Sequence, residues 1–267
     1  MRGYLAVFRL RVLSGLQYRT AALAGVMTQF FWGAITIMVL EAFYASTNQS
    51  PPISWEQVVA YVWLRQAFLF FIVLWIRDSD MAESIVSGQV AYELARPYNL
   101  YDYWFAKGLA YRLAAGALRS FPIIVAALLL PAPYGLHLPS DSTSALLFAC
   151  SLGLALLISV AITMIMYVTI FVTMTPTGSV AFFAGISDFL AGGIVPLPLM
   201  PSWLQAIAYR LPFYTTQDTP FRIYSGHLSS TQALPSIVNQ FAWLVGLVLL
   251  GRLLLSRALS RATVQGG

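Results

Sequence analysis

The chain has 267 residues, of which 59% are apolar and only 9% charged, and its mean hydropathy is +0.74. A soluble domain carries about a quarter charged residues, so this chain cannot cover itself with water-facing side chains and reads as an all-α integral membrane protein. Its net charge of +5 is spread over the ends of apolar runs, which fits membrane orientation and argues against a nucleic-acid partner, and its one cysteine, Cys150, excludes a disulfide framework or a Cys-based zinc site.

In chain order, Leu5, Phe8, Val12 and Leu16 recur at spacings of three and four, with Arg2, Arg9 and Arg11 elsewhere around the helix. This predicts an amphipathic helix over 1–18 lying in the inner headgroup layer; a plain cytoplasmic lead-in is the alternative. The first apolar block, 20–41, exceeds the ~7–15 residues of a signal-peptide core and lacks a following A-x-A site, so it is expected to stay as a spanning anchor. Further spans are predicted at 57–76, 111–130, 144–171, 178–195 and 234–255, six in all, within one domain.

Between spans two and three, residues 77–107 hold Asp78, Asp80, Glu83, Glu93 and Asp102. Gly88 permits a break and Pro97 biases Arg96 out of the helical region. The expectation is a short helix, a kink, a second short turn, and the lead into span three. Met81 and Ile85, with Gln89 as a further candidate, share one face of it, while Asp80, Glu83, Ser84 and Ser87 lie largely on another. Such an element has too few apolar residues to fold alone and needs a membrane surface or a protein partner.

Three charges fall well inside predicted spans, away from their ends. Arg65 lies about eight residues in from the outer end of span two and Asp188 about seven in from the outer end of span five, so both sit roughly 11–12 Å deep. They are expected either to pair, within one chain or across a dimer, or to snorkel or face water separately. Arg119 follows Arg112 by seven residues on nearly the same face of span three, and either snorkels inward beside it or lines a cavity.

After span five, Pro196, Pro198, Pro201, Pro212 and Pro220 forbid one continuous spanning helix over 192–233. Ser202 is a plausible N-cap for a short stripe of Trp203, Leu204, Ile207, Ala208 and Leu211, with Trp203 and Tyr209 at the outer headgroups. A second short element is expected around 218–226. Arg210 and Arg222 would meet lipid phosphate or water.

Eleven basic residues precede span one, lie between spans two and three, or follow span six, whereas only Arg210 and Arg222 lie on the opposite side. That asymmetry places both termini in the cytoplasm.

The run I-V-S-G-Q-V-A-Y-E-L-A-R-P (85–97), directly after W-I-R-D (75–78), resembles the first cytoplasmic loop of bacterial ABC type-2 permeases, the membrane subunits of ATP-binding-cassette exporters. A-G-G-I-V-P-L-P-L-M-P-S-W-L-Q-A-I-A-Y-R-L-P-F (191–213) is similar to that family's Gly-Pro turn after span five. The resemblance covers essentially the whole chain. It implies that Glu83, Ile85, Ser87, Gly88, Tyr92, Glu93, Arg96 and Pro97 belong to a coupling helix contacting a cytoplasmic ATPase subunit. It also implies that short outer helices near Pro196, Pro201, Trp203 and Pro212 help close the pathway, with Arg65, Asp188 and Arg119 as pathway or pair residues. Two ATPase copies with their ATP and magnesium, a second permease chain (identical or paralogous), membrane lipid and a bacterial inner-membrane location follow from the same likeness.

No G-x-x-x-x-G-K-[ST] stretch occurs and Lys107 is the only lysine, so the chain is not expected to split ATP itself. His137 and His227 stand apart in predicted outer loops, and no metal or catalytic constellation is visible. An apolar or amphipathic cargo (drug, lipid or peptide) suits the shortage of polar intramembrane ligands. The alternatives are an ATP-independent carrier or channel, which leaves 80–97 unexplained, and a membrane enzyme, which requires a carboxylate or histidine cluster that is missing.

Overall fold

The computed structural model describes residues 9, 10, 13, 19–46 and 50–261, with no strand among them. Apart from Arg9, Leu10 and Leu13, the amphipathic helix expected over 1–18 lies outside the described residues. The helices are α1 (Arg19–Ser46), α2 (Trp55–Ile72), α3 (Ser79–Val86), α4 (Val90–Leu94), α5 (Leu100–Leu129), α6 (Ser142–Thr173), α7 (Pro176–Leu190), α8 (Ser202–Ala208), α9 (Asp218–Tyr224) and α10 (Ser230–Arg261).

Among the described residues, four helical stretches are long and apolar enough to cross a membrane, by length and composition alone: Ala24–Ser46, Leu100–Leu129, Ser142–Thr173 and Ser230–Ser260. The second and fifth predicted spans differ. α2 has 18 residues and carries Glu56, Gln57, Arg65 and Gln66, yet eleven of its residues are buried. Protein surrounds it, so it is less dependent on its own hydropathy. It stops at Ile72, where Val73 turns extended (φ −76°, ψ 135°), rather than at 76. α7 has 15 residues, about 22 Å of helix, short of the ~30 Å hydrocarbon core. The third predicted span begins early: α5 starts at Leu100, so its first turns occupy the end of the expected loop 77–107.

Side-chain caps start the helices. Ser54 and Gln57 form a reciprocal capping box on α2, Asn99 accepts from the Asp102 amide at the start of α5, and Asp141 accepts from the Ser144 amide at 2.8 Å on α6. α6 is the hub, touching α2, α3, α5, α7, α9 and α10. One apolar cluster joins α1, α2 and α5, with Phe30 stacked on Trp63 at 5.2 Å. A second, around Trp104, Met164, Tyr167 and Leu255, receives Met81, Ile85 and Val90 from the short helices between α2 and α5. Outward-facing Phe31, Trp32, Met38 and Phe43 on α1, and Val238, Phe241 and Leu249 on α10, leave an apolar surface suited to lipid.

Gln240 is fully buried and ties α10 to two elements. Its Oε1 accepts from Ser151 Oγ at 2.8 Å, and its Nε2 donates to the Thr215 carbonyl at 2.7 Å. Gln240→Leu strands both groups and is expected to cost about 1–3 kcal/mol, read as a lower melting temperature of the detergent-solubilised chain.

Candidate functional site

The segment 78–99 is built as an attached bracket. Asp78 caps α3 through the Asp80 amide. The helix breaks at Gly88, whose φ of +75° is costly for a residue with a Cβ, and α4 follows. Met81, Ala82, Ile85 and Val90 face inward, at 1%, 2%, 3% and 9% exposure. Ile85 therefore anchors the element rather than forming its outer surface, because the apolar face of α3 is consumed by α5 and α6. Glu93 is also committed: its Oε2 accepts from Trp104 Nε1 at 2.5 Å. Glu83, Ser87, Gly88, Tyr92, Arg96 and Pro97 are exposed, together with Val86 and Leu94. Tyr92, at 76%, is the most exposed of its large apolar side chains.

Behind this bracket lies a polar junction. Arg112 is 2% exposed. Its Nη1 donates to the carbonyls of Val73 (2.8 Å) and Phe71 (3.3 Å), and its Nη2 donates to Thr163 Oγ1 (3.0 Å). These bonds occupy carbonyls at the end of α2 that have no helical donor, and they bind that end to α5 and α6 at once. Lys107 approaches the Asp78 carboxylate at 3.7 Å, and Tyr167 donates to the Asp78 carbonyl at 2.9 Å. The connection from α2 to α4 is thus held by Trp104, Lys107 and Arg112 of α5 and by Thr163 and Tyr167 of α6. Sequence reasoning used Lys107 and Arg112 only as topology markers. For Lys107 the available signal was its spacing of three from Trp104, which puts those two on one flank of a helix.

Of the three charges expected inside spans, two meet. Arg65 Nη2 donates to both oxygens of Asp188, at 3.1 and 3.0 Å, with side-chain exposures of 20% and 21%. Beside them, Tyr61 donates to the Ala191 carbonyl at 3.2 Å, which holds the end of α7 against α2. Arg119 lies elsewhere, over the Phe70 ring at 3.8 Å. A cation–π contact is worth about 0.5–2 kcal/mol, but it satisfies none of the N–H donors of the guanidinium.

The outer segment breaks as its prolines require. Pro196 precedes a 3₁₀ turn, Leu197–Leu199, and Pro212 begins another, Pro212–Thr216. The expected N-cap of α8 is displaced by one residue: Pro201 occupies it and Ser202 is already helical, without a side-chain cap bond. Trp203 is 65% exposed and Arg210 is exposed. Arg222 instead has internal partners, with Nη1 donating to Asp218 Oδ2 at 3.1 Å and to Tyr209 Oη at 2.9 Å. This pairing replaces the lipid phosphate or water expected for Arg222, because α9 folds back over α6 and α2.

Asp218 lies outside the long helices and is 1% exposed. Burial pushes its carboxyl from 3.8 up to about 6, against the opposing pull of Arg222. A carboxyl raised in the folded state contributes stability that is fully present below its unfolded value and lost as pH rises through the folded one. Acidification from pH 7 to pH 5 is therefore expected to raise this group's contribution. Asp218→Asn should flatten the melting temperature across that window.

Residues 30–266 match a family model described as ABC-2 family transporter protein. No curated protein matches the chain.

Proposed function

The chain belongs to the ABC-2 family of transporter proteins, and from that premise we propose that it is the permease subunit of an ATP-driven exporter in a bacterial inner membrane. In this reading six helices cross, α2 sheltered by the surrounding protein and α7 the shortest of the six, and both termini are cytoplasmic. Two permease chains, identical or paralogous, form the pathway. Two copies of a separate ATPase subunit, which binds ATP and magnesium, sit beneath them, and the chain itself hydrolyses nothing. The cargo is apolar or amphipathic.

The observation that carries this reading is the bracket at 78–99. It exposes Val86, Tyr92, Leu94, Arg96 and Pro97 on one side while its other side is bonded to α5 and α6. A surface presented in this way can receive an ATPase and pass its movement to the helices. The permease would then shift between inward and outward forms through different affinities of the ATP-bound and ATP-free ATPase for them.

Co-purification tests the assignment. The full chain carrying Tyr92→Cys should form a crosslink with an ABC ATPase subunit co-expressed from the same host, and Leu138→Cys, on the opposite end, should not. No association with that ATPase in a coupled membrane preparation defeats the reading.

A further inference from the structure

Among the intramembrane arginines, Arg65 has Asp188 and Arg112 has three neutral acceptors. Arg119 has neither a hydrogen bond nor a carboxylate among the described residues, and its Nε is sealed from solvent with nothing to accept its proton. The guanidinium lies on Phe70 from one side. On another it meets α1, where Gly25 makes room: a Cβ at that position would come within 2.8 Å of Nε. The side chain is half-buried, and its Nη groups make no bond within the described chain and are not sealed.

Depth narrows what could complete this site. Phe70 lies fifteen residues along α2 from Trp55, about 22 Å from the outer start of that helix. Gly25 lies at the beginning of the candidate span Ala24–Ser46. Both place the guanidinium toward the cytoplasmic headgroups. Arg19 begins α1 there, and Arg2, Arg9 and Arg11 precede it in the sequence. A cationic run beside a membrane helix draws anionic lipid. A planar guanidinium with free Nη donors suits a phosphate better than a single-point acceptor.

We propose that Arg119, seated between α1 and α5 against Gly25 and Phe70, holds the phosphate of an anionic phospholipid from the inner leaflet. The proposal rests on the topology given under the proposed function, which places Gly25 at the inner surface. The lipid supplies the acceptors that the described chain does not.

Native mass spectrometry of the purified full chain, titrated with phosphatidylglycerol or phosphatidylcholine, tests this. The wild type should retain phosphatidylglycerol preferentially. Arg119→Gln should weaken it by about fivefold to tenfold with little change in phosphatidylcholine binding. Gly25→Val keeps every charge but displaces the guanidinium, and it should give the same loss should the glutamine variant not fold. Arg257→Gln, an exposed change at the far end of α10, should leave the preference intact. Equal retention of the two lipids by the wild type, or unaltered phosphatidylglycerol binding in both the Arg119 and Gly25 variants, overturns the proposal. Displacement of the lipid by free glycerol phosphate also overturns it, because the site would then take a soluble phosphate. ATPase association is scored on the same samples. Its absence defeats the transporter assembly without altering the lipid result, and its presence beside indifferent lipid binding defeats only the lipid site.

Discussion

Asp188→Asn is expected to destabilise the chain more than Arg65→Gln, although both break the same pair. The asparagine variant leaves a guanidinium inside the protein, and a guanidinium stays charged. The glutamine variant leaves a carboxylate, which can take up a proton and become neutral. Removing one partner of a fully buried pair costs about 3–5 kcal/mol. With about a fifth of each side chain exposed, a loss of about 2–3 kcal/mol is expected for Asp188→Asn. The exchanged double variant, Arg65→Asp with Asp188→Arg, should recover most of that loss. Gly193→Ala supplies an independent route to the same defect, since a Cβ there would collide with Asp188 Oδ1 and its carboxyl carbon. Thermal melts of the four variants in one detergent decide the matter. If the exchanged variant loses the sum of the two single losses, the pair contributes no coupling.

The pairing of Arg65 with Asp188 was legible as a candidate because helix rise converts residue counts into depth, and two opposite charges came out level. The break at Gly88 was legible for a similar reason: a residue without a Cβ sat where two short amphipathic patterns failed to continue each other. Arg112 was not legible, because its acceptors are chiefly backbone carbonyls, which every residue carries and no side-chain pattern marks. The same blindness placed the end of α2 too late, since Phe-Ile-Val-Leu-Trp-Ile (71–76) reads as uninterrupted apolar helix while the chain turns extended at Val73. Ile85 shows a different limit. An amphipathic pattern says that one face is covered but not by what, and here α5 and α6 cover it from within the same chain.

That distinction between outward and inward faces separates two kinds of failure in the proposed transporter. Tyr92→Ala removes the most exposed large apolar side chain of the bracket and leaves its attachments alone. It is expected to weaken ATPase binding by about 30-fold, the loss typical of a single aromatic anchor, and to leave the melting temperature of the isolated chain unchanged. Trp104→Phe keeps the packing against Tyr167 and Phe171 but deletes the donor to Glu93. The bracket then still meets the ATPase, yet its second helix is no longer bonded to α5. ATPase binding should persist, while export and cargo-stimulated hydrolysis fall together by about tenfold, equivalent to about 1.4 kcal/mol of lost coupling. Glu93→Gln should fall short of that loss, because an amide oxygen can still accept from the indole. Binding assays and turnover measured on the same reconstituted samples separate the two classes. If Trp104→Phe lowers binding and leaves the turnover of the bound complex intact, the Trp104–Glu93 bond shapes the docking surface rather than transmitting movement from it.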